Sequence, residues 1–312
     1  MNIYYGLDSF KKLKKNLTIT IGSFDGLHRG HLKVLERLSL EAKEASSDTC
    51  VITFEPHPRM LLSDATENFL LSTLQEKMYL MEESGFVDNI LAIPFDKSFS
   101  LISSTDFIES VILKNTTPSA IIVGYDTHFG RNRMGDVTLL NNILRNYKTK
   151  ISIVEPEMID GQVVSSSLIR KHIRFGEVSL ANDLLGYKYF LQGHVVRGEG
   201  RGALLGFPTA NIEFTDRIKI LPQNGVYAVS VIYDKKEDRG MMNIGKRPTF
   251  NESLSMEVHL IDFNDNLYNK MLKISFIKRL RDEVKFGSSD ELIEQLKKDK
   301  EKIKNLKEAL WH

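Results

Sequence analysis

The first 186 residues alternate between short apolar segments and longer amphipathic segments, and this alternation strongly limits the possible folds. The apolar segments predict strands at 17–21, 49–54, 89–93, 120–123 and 151–154. The amphipathic segments predict helices at 32–45, 73–84, 104–113 and 136–146. Alternating strands and helices form a parallel sheet covered by helices, with binding sites at the carboxyl ends of the strands. We therefore expect an α/β domain in this half of the chain.

After about residue 190 the pattern changes to strands that follow one another without intervening helices. The predicted strands lie at 192–197, 209–214, 225–233, 241–244, 256–263 and 271–278. Turn residues such as Gly198 and Gly245 separate them, which is typical of a compact antiparallel β-barrel, and a helix at 289–309 follows. Because 312 residues suffice for two separate cores, we expect domains at 1–186 and 187–312.

Cysteine content and charge limit the class of protein. A single cysteine, Cys50, excludes an intrachain disulfide and lies in an apolar run that predicts core packing. No apolar run approaches the ~20 residues of a membrane span, and the N-terminus lacks the features of a signal peptide, so a cytoplasmic protein without membrane contact is expected. A net charge of +1 favours small-molecule partners over nucleic acid. Nothing in the sequence implies an obligate protein partner.

A glycine-rich turn follows the first predicted strand and leads into a helix. It reads Gly22-Ser23-Phe24-Asp25-Gly26-Leu27-His28-Arg29-Gly30-His31. Glycines allow backbone N–H groups to approach an anion, and a helix N-terminus adds donors and a positive dipole end. His28 and His31 lie one helical turn apart and can face the same phosphate chain. The spacing matches neither the dinucleotide fingerprint nor the P-loop. Taken singly, each histidine is more simply interpreted as a solvated or capping residue, and only the joint pattern favours a phosphate site.

A second constellation lies in the β-rich half, where four glycines precede Phe207-Pro208-Thr209-Ala210-Asn211. A loop containing Gly200, Gly202 and Gly206 could wrap nucleotide phosphates through its N–H groups. Thr209 and Asn211 alternate onto one face of a strand, where their oxygens could bind Mg²⁺. The alternative is a flexible hairpin in which Thr209 and Asn211 make turn hydrogen bonds.

The segment Gly206-Phe207-Pro208-Thr209-Ala210-Asn211 resembles the G-x-P-T-A-N motif of riboflavin kinases. Three further stretches are similar to that family: 224–228, 243–250 and 257–263. The resemblance implies that Thr209 and Asn211 hold metal and nucleotide, and that Glu257 is the general base on the riboflavin hydroxyl. It also implies flavin contacts from Pro208, Arg281, Glu283 and Phe286.

The N-terminal half resembles the FMN adenylyltransferase domain of bacterial bifunctional FAD synthetases, a Rossmann-like nucleotidyltransferase domain. His28-Arg29-Gly30-His31 is similar to the H-x-G-H signature, and further similarity lies at 53–58, 123–130 and 165–170. The resemblance implies that three residues stabilise the transferring charge: His28, His31 and Arg170. It implies that ATP contacts Gly22, Ser23, Phe24, Asp25, Gly26, Ser165 and Ser166. It implies that flavin contacts His57, Pro58 and Asp126.

Together the resemblances imply phosphorylation of riboflavin to FMN and adenylylation of FMN to FAD, with ATP as co-substrate and Mg²⁺ as cofactor. Two departures from the family patterns leave an alternative open. Thr127-His128 stands where an aromatic residue is usual, and Ala203 where a basic residue is common, so one half alone could be active. A flavin- or RNA-binding regulator on this scaffold is a further alternative. Asn269 stands where a glycine is usual in the family. This change is tolerable because asparagine adopts positive φ more readily than most residues.

Overall fold

The computed structural model describes residues 1–13, 16–62, 68–198, 201–214, 216, 218–246, 254–263 and 265–311. The chain divides into two compact units, Met1–Ser166 and Ser167–His312. The predicted functional boundary at residue 186 differs from this division and stays a prediction. Among the described residues, none of the helices combines the length and apolar character that crossing a bilayer requires.

The N-terminal unit contains a six-stranded parallel sheet in the order β1-β4-β3-β2-β5-β6. Its strands are β1 (Asn2–Tyr5), β2 (Asn16–Ile21), β3 (Asp48–Glu55), β4 (Asn89–Pro94), β5 (Thr117–Gly124) and β6 (Lys150–Val154). A small antiparallel hairpin follows, formed by β7 (Met158–Ile159) and β8 (Gln162–Val163). Because β3, β2 and β5 are neighbours, their carboxyl ends lie side by side at one edge of the sheet.

Helices cover both faces of this sheet. The helical segments of this unit are α1 (Arg29–Glu44), α2 (Pro58–Leu62), α3 (Leu74–Ser84), α4 (Lys97–Ser100), α5 (Ser104–Asp106), a π-helical segment (Phe107–Leu113) and α6 (Val137–Leu144). On one face, Leu35 and Leu38 of α1 and Met81 of α3 pack with Val51 in one apolar core. On the other face, the π-helical segment and α6 pack against alternate strand residues in a second core. The predicted parallel α/β sheet is confirmed.

The C-terminal unit begins at Ser167, the second residue of α7 (Ser166–Arg174), and continues with α8 (Val178–Leu185). Six strands then close an antiparallel barrel in the order β10-β13-β12-β11-β14-β9. They are β9 (Phe190–Val196), β10 (Ala210–Phe214), β11 (Gly225–Tyr233), β12 (Lys236–Lys246), β13 (Leu254–Leu260) and β14 (Met271–Arg281). A short α9 (Arg201–Leu204) precedes β10, and α10 (Ser289–Lys304) packs on the barrel through the buried Ile303. The predicted barrel and terminal helix are confirmed.

Several local predictions differ from the structure. The predicted helix at 104–113 is a short α-helix followed by a π-helical segment. The glycine-rich stretch, expected to be a loop or a hairpin, forms one helical turn at 201–204. The terminal helix ends at Lys304, before the predicted end at residue 309. Asn269 has φ +63°, which confirms that it takes the conformation expected of a glycine.

Candidate active sites

The turn after β2 is held from inside by the carboxylate of Asp25, which is 1% exposed. Its Oδ1 accepts hydrogen bonds from the backbone N–H groups of Leu71 and Ser72, each at 3.0 Å. The Gly26 N–H donates to Ser72 Oγ at 2.8 Å, and the Gly22 N–H donates to the Ile52 carbonyl at 3.0 Å. The Asp25 carboxylate and these two N–H groups therefore shape the turn.

The two predicted histidines come together at the start of α1. His28 is the N-cap, and its Nδ1 accepts the His31 backbone N–H at 3.3 Å. The two imidazole rings stack with centroids 3.6 Å apart, and the Phe24 ring contacts His31 edge-on at 5.2 Å. Because Nδ1 of His28 accepts a hydrogen bond, its neutral tautomer carries the proton on Nε2, which makes Nε2 the donor. The pair can donate protons or hydrogen bonds to one anionic group.

Ser165 and Ser166 lie at the end of the N-terminal unit, where α7 begins. The Ser166 hydroxyl donates to the Asp25 carbonyl at 3.0 Å, which links this helix start to the phosphate turn. Arg170 lies one helical turn further along α7 and is 6% exposed. The structure thus brings Ser166 to the turn predicted to bind ATP.

The predicted flavin residues of the N-terminal unit follow β3 and β5. His57 is buried; its Nδ1 accepts the Arg59 N–H at 3.2 Å, and its ring contacts Phe69 at 5.4 Å. Pro58 opens α2. Asp126 is exposed in the turn after β5, and its carbonyl lies 2.9 Å from Nδ1 of His128. These residues and His28 lie after three adjacent strands, at the edge where the sheet topology predicts a site.

The segment with the unusual Thr127-His128 pair keeps a buried aromatic residue. His128 is exposed, whereas Phe129 is 8% exposed and packs on Phe107 with ring centroids 6.1 Å apart. Thr127, which stands at the usual aromatic position, is half-buried, and the adjacent core contact of Phe129 stays in place.

Sequence reasoning did not find Lys77, which is 3% exposed on α3. Its Nζ donates to the Ser23 carbonyl at 2.8 Å and to Thr53 Oγ1 at 3.2 Å. On an amphipathic helix a single lysine normally suggests a solvated position, so the sequence holds no signal for this contact. The structure adds a buried lysine to the phosphate turn.

In the barrel, the predicted general base Glu257 and the predicted metal ligands Thr209 and Asn211 meet where β10 pairs with β13. Asn211 lies opposite Glu257 in this antiparallel pair. Glu257 Oε2 accepts a hydrogen bond from the Thr209 hydroxyl at 3.1 Å, and its Oε1 accepts one from Ser255 at 3.3 Å. A Cβ on Gly198 would lie 1.9 Å from Nδ2 of Asn211, so only glycine fits beside this amide. The site therefore joins a hydroxyl, an amide and a carboxylate.

Gly202 of the predicted phosphate loop lies close to Thr209. A Cβ on Gly202 would lie 2.4 Å from the Phe207 carbonyl and 3.1 Å from Thr209 Oγ1. Gly206 has φ +80°, a conformation that favours glycine. The predicted Gly200 lies outside the described residues. Gly202 thus allows the chain to pass close to Thr209.

A histidine that sequence reasoning did not single out fixes the entry to β10. Nδ1 of His259 lies 2.8 Å from the Pro208 carbonyl, which can only accept, so Nδ1 carries the proton. Burial lowers the pKa of His259, and the hydrogen bond to the Pro208 carbonyl opposes this effect. His259 and Glu257 are two residues apart on β13, so they share one face of the strand. His259 therefore helps to place Thr209 beside Glu257.

The predicted flavin residues at 281–286 are anchored by the terminal helix. Arg281 Nε donates to Asp299 Oδ2 at 2.7 Å, and its guanidinium lies 5.8 Å from the centre of the Phe286 ring. Asp299 is fully buried on α10. Glu283 is exposed and lies beside Gly245, where a Cβ would come within 1.8 Å of its Oε1. The structure thus brings two of these predicted flavin residues, Arg281 and Phe286, into contact with each other.

The chain matches two family models in sequence order. The model described as FAD synthetase matches residues 10–168, and the model described as riboflavin kinase matches residues 185–307. The first matched segment contains the phosphate turn and the paired histidines. The second contains the Thr209, Asn211 and Glu257 cluster.

Curated relatives match almost the whole chain. A bifunctional riboflavin kinase/FMN adenylyltransferase of Buchnera aphidicola subsp. Schizaphis graminum is 35% identical over 97% of this chain and 98% of its own length. The protein of the same description from Haemophilus influenzae is 34% identical, with 97% and 98% covered. That from Bacillus subtilis is 35% identical, with 93% and 92% covered.

A solved structure is similar over both units. It is a Streptococcus pneumoniae crystal structure described as a macrolide-efflux protein, with a TM-score of 0.90 and 27% identity. The similarity covers 98% of this chain and all of that one. The relatives and both family models agree on a single assignment: the chain belongs to the family of bifunctional riboflavin kinases/FMN adenylyltransferases.

Proposed function

We propose that this chain converts riboflavin to FMN in its barrel and FMN to FAD at the edge of its parallel sheet. The observation that carries the proposal is that one chain holds both clusters, the stacked His28 and His31 and the hydrogen-bonded Thr209 and Glu257. The substrates are riboflavin, FMN and ATP. The functional halves are proposed as 1–186 and 187–312.

In the kinase reaction, a ribityl hydroxyl of riboflavin attacks the γ-phosphorus of ATP, and ADP leaves. Glu257 accepts the hydroxyl proton as the new P–O bond forms. The hydrogen bonds from Thr209 and Ser255 hold its carboxylate in place. Flavin contacts are proposed for four residues: Pro208, Arg281, Glu283 and Phe286. Nucleotide phosphates contact the loop that contains Gly200, Gly202 and Gly206.

The oxygen donors at this site fit Mg²⁺, which prefers carboxylate, hydroxyl and amide oxygens. Thr209 and Asn211 would hold the ion together with substrate phosphates. Bound there, Mg²⁺ would neutralise the charge that develops on the transferring phosphoryl group. Gly198 supports this placement, since the absence of a side chain leaves room for the Asn211 amide.

In the adenylyltransferase reaction, a phosphate oxygen of FMN attacks the α-phosphorus of ATP. The bond between the α-phosphorus and the bridging oxygen breaks, and pyrophosphate leaves. His28 and His31 stabilise the developing negative charge through hydrogen bonds, and Arg170 is proposed to assist. ATP is proposed to contact the turn 22–26 and residues Ser165 and Ser166. Flavin is proposed to contact His57, Pro58 and Asp126.

We also propose that the enzyme works in the cytoplasm on small molecules, without nucleic acid, membrane or an obligate protein partner. The net charge of +1 supports small substrates over polyanions. Cys50, the single cysteine, is buried and unpaired with another cysteine, which suits a reducing compartment.

The test is to incubate the chain with MgATP and either riboflavin or FMN, and to separate the flavins by chromatography. The wild type should form FMN and then FAD. His28→Asn keeps a capping side chain but should slow FAD formation by about a hundredfold or more, with FMN formation unchanged. Glu257→Gln should slow FMN formation by about a hundredfold or more while FAD still forms from supplied FMN.

Two results would contradict this assignment. FMN formation without FAD from the wild type would leave a riboflavin kinase alone, the alternative raised by Thr127-His128. Loss of both activities in each folded variant would contradict the division of labour between the units.

A further inference from the structure

The inner side of the Gly22–His28 turn holds a buried lysine to which the two reactions above assign no role. Lys77 Nζ donates to the Ser23 carbonyl at 2.8 Å and to Thr53 Oγ1 at 3.2 Å. Thr53 Oγ1 in turn lies 3.4 Å from the Ser23 carbonyl. Ser23 follows β2 and Thr53 lies near the end of β3, so one ammonium joins the strand ends that carry the ATP turn and the flavin segment.

Burial of this charge is costly. Taking an ammonium group out of water costs several kcal/mol unless other charges compensate. Burial lowers the pKa of Lys77, while the carboxylates of Asp25 and Glu55 oppose this effect. Burial likewise raises the pKa of Glu55, which Lys77 opposes. A neutral donor could satisfy the same carbonyl and hydroxyl at a lower desolvation cost, so these hydrogen bonds alone do not account for a cation here.

The lysine also fixes the direction of a peptide in the turn. In a planar trans peptide the carbonyl and the following N–H point in opposite directions. Because the Ser23 carbonyl points at Lys77, the Phe24 N–H points away from it. Phe24 has φ +48° and Leu27 has φ +32°, a backbone region that non-glycine residues rarely adopt. Such a conformation persists only where surrounding contacts hold it.

We propose that Lys77 is a positioning residue for adenylyl transfer, which fixes the phosphate turn through the Ser23 carbonyl and places a positive charge behind the triphosphate. The inference rests on the proposed adenylyltransferase activity. It extends that activity to a helix, α3, that carries none of the residues assigned above.

The test compares three variants of the full chain in both reactions. Lys77→Met removes the charge and both hydrogen bonds. Lys77→Gln removes the charge but keeps a donor, and serves as the test should the Met variant not fold. Lys43→Met is the matched control, since Lys43 is exposed in the last turn of α1. For each variant we measure kcat and KM for ATP and for FMN in FAD formation. We also measure inhibition by pyrophosphate and thermal unfolding.

We expect Lys77→Met to lower kcat/KM for ATP in FAD formation about ten- to hundredfold, with weaker inhibition by pyrophosphate. Lys77→Gln should show a smaller loss of the same kind. KM for FMN and the rate of riboflavin phosphorylation should stay within about twofold, as should every constant of Lys43→Met.

A Thr53→Val variant separates this role from general destabilisation. This variant removes one acceptor of Lys77 but leaves the Lys77 side chain and its hydrogen bond to the Ser23 carbonyl. FAD formation should therefore survive a drop in melting temperature as large as that of the Lys77 variants. The inference is overturned if the folded Lys77 variants make FAD at the wild-type rate, if KM for FMN rises in place of KM for ATP, or if Thr53→Val loses as much activity. Absence of FAD from the wild type would instead overturn the proposed adenylyltransferase activity, and the inference with it.

Discussion

Gly198 is a residue whose lack of a side chain has a direct chemical consequence. An added Cβ would lie 1.9 Å from Nδ2 and 2.6 Å from Cγ of Asn211, so Gly198→Ala must displace this amide. We expect riboflavin phosphorylation to fall about tenfold or more, because Asn211 would no longer lie beside Glu257. Initial rates with riboflavin and MgATP measure the effect.

Adenylylation of supplied FMN is the internal control for Gly198→Ala, since that reaction is assigned to the other unit. It should keep its wild-type rate in the same preparation. Normal kinase activity in the folded variant would show that the Asn211 amide does not need its present position.

Cys50 is a residue whose surroundings make it unreactive. It lies on β3 with no exposed surface, and burial raises the pKa of its thiol to about 12. Since the thiolate is the reactive form, a disulfide reagent at pH 8 should not label the native protein within minutes. The same reagent should label one thiol per chain in guanidinium chloride. Fast labelling of the native protein would contradict the packing of β3.

At the scale of elements, Glu41 links α1 to β6. Its carboxylate is 3% exposed and accepts hydrogen bonds from Arg37, at 2.7 Å, and from Ser152, while Lys150 lies at 3.2 Å. Burial raises the pKa of Glu41, but the hydrogen bonds from Ser152, Lys150 and Arg37 outweigh burial and leave it below the ordinary value. A carboxyl group with a lowered pKa stabilises the fold above its unfolded pKa, and that contribution is lost on acidification.

Glu41→Gln should therefore lower the free energy of unfolding by about 1–3 kcal/mol at pH 7. The difference from wild type should shrink as the pH falls below about 4. Urea unfolding at several pH values measures it. Glu44→Gln is the matched control on the same helix, since that side chain is 72% exposed and should change stability little. A difference that persists unchanged at low pH would contradict the role of the ionised carboxylate.

Helix α10 and strand β14 are joined by a buried ion pair. Asp299 has no exposed surface; its Oδ2 accepts Arg281 Nε at 2.7 Å, and its Oδ1 accepts Gln295 Nε2 at 2.9 Å. Removing one partner of a buried pair leaves an uncompensated charge. Asp299→Asn should therefore destabilise the C-terminal unit by about 2–4 kcal/mol. It should also raise KM for riboflavin, because Arg281 and Phe286 lie together at the proposed flavin segment.

Steady-state kinase assays and thermal unfolding measure both effects of Asp299→Asn. Asp290→Asn, at an exposed position in the first turn of α10, is the matched control and should cost only a few tenths of a kcal/mol. An unchanged KM for riboflavin in a destabilised Asp299→Asn chain would limit the ion pair to a structural role.

The elements that the sequence predicts well are those with strong periodic signals. The central strands β2, β3 and β5 are rich in β-branched residues and are buried along most of their length, as expected for parallel strands covered on both faces. Strand β1 was not predicted because it is a short edge strand with mostly exposed residues. The π-helical segment was not predicted either, because its i to i+5 hydrogen bonds leave no distinct pattern in a short sequence.

The candidate sites were predictable where chemistry concentrates in one segment. His28 and His31 share a helical turn, so their stacking follows from local spacing. By contrast, Lys77 reaches Ser23 and Asp299 reaches Arg281 only through the tertiary fold. Burial of a charged side chain depends on what packs over it, which one sequence does not state.

At the scale of the whole molecule, each unit contains the residues proposed for its own chemistry, apart from Arg170. The His28 and His31 pair lies in the N-terminal unit, and Thr209, Asn211 and Glu257 lie in the C-terminal unit. FMN is the product of one reaction and the substrate of the other. Activities that depend on separate sets of side chains should be separable by point substitution and recoverable by mixing.

A mixture of His28→Asn and Glu257→Gln chains should therefore make FAD from riboflavin, although neither chain does so efficiently alone. The Glu257→Gln chain should phosphorylate riboflavin only very slowly, but it should adenylylate the FMN that the His28→Asn chain releases. FMN should accumulate first and FAD should follow after a lag that shortens as the concentration of Glu257→Gln rises. Time courses of the separated flavins measure this order. In this mixture FMN must cross solution from one chain to the other. Conversion of added FMN by Glu257→Gln is the control. If that control succeeds but the mixture accumulates FMN without FAD, FMN remains bound to the chain that makes it.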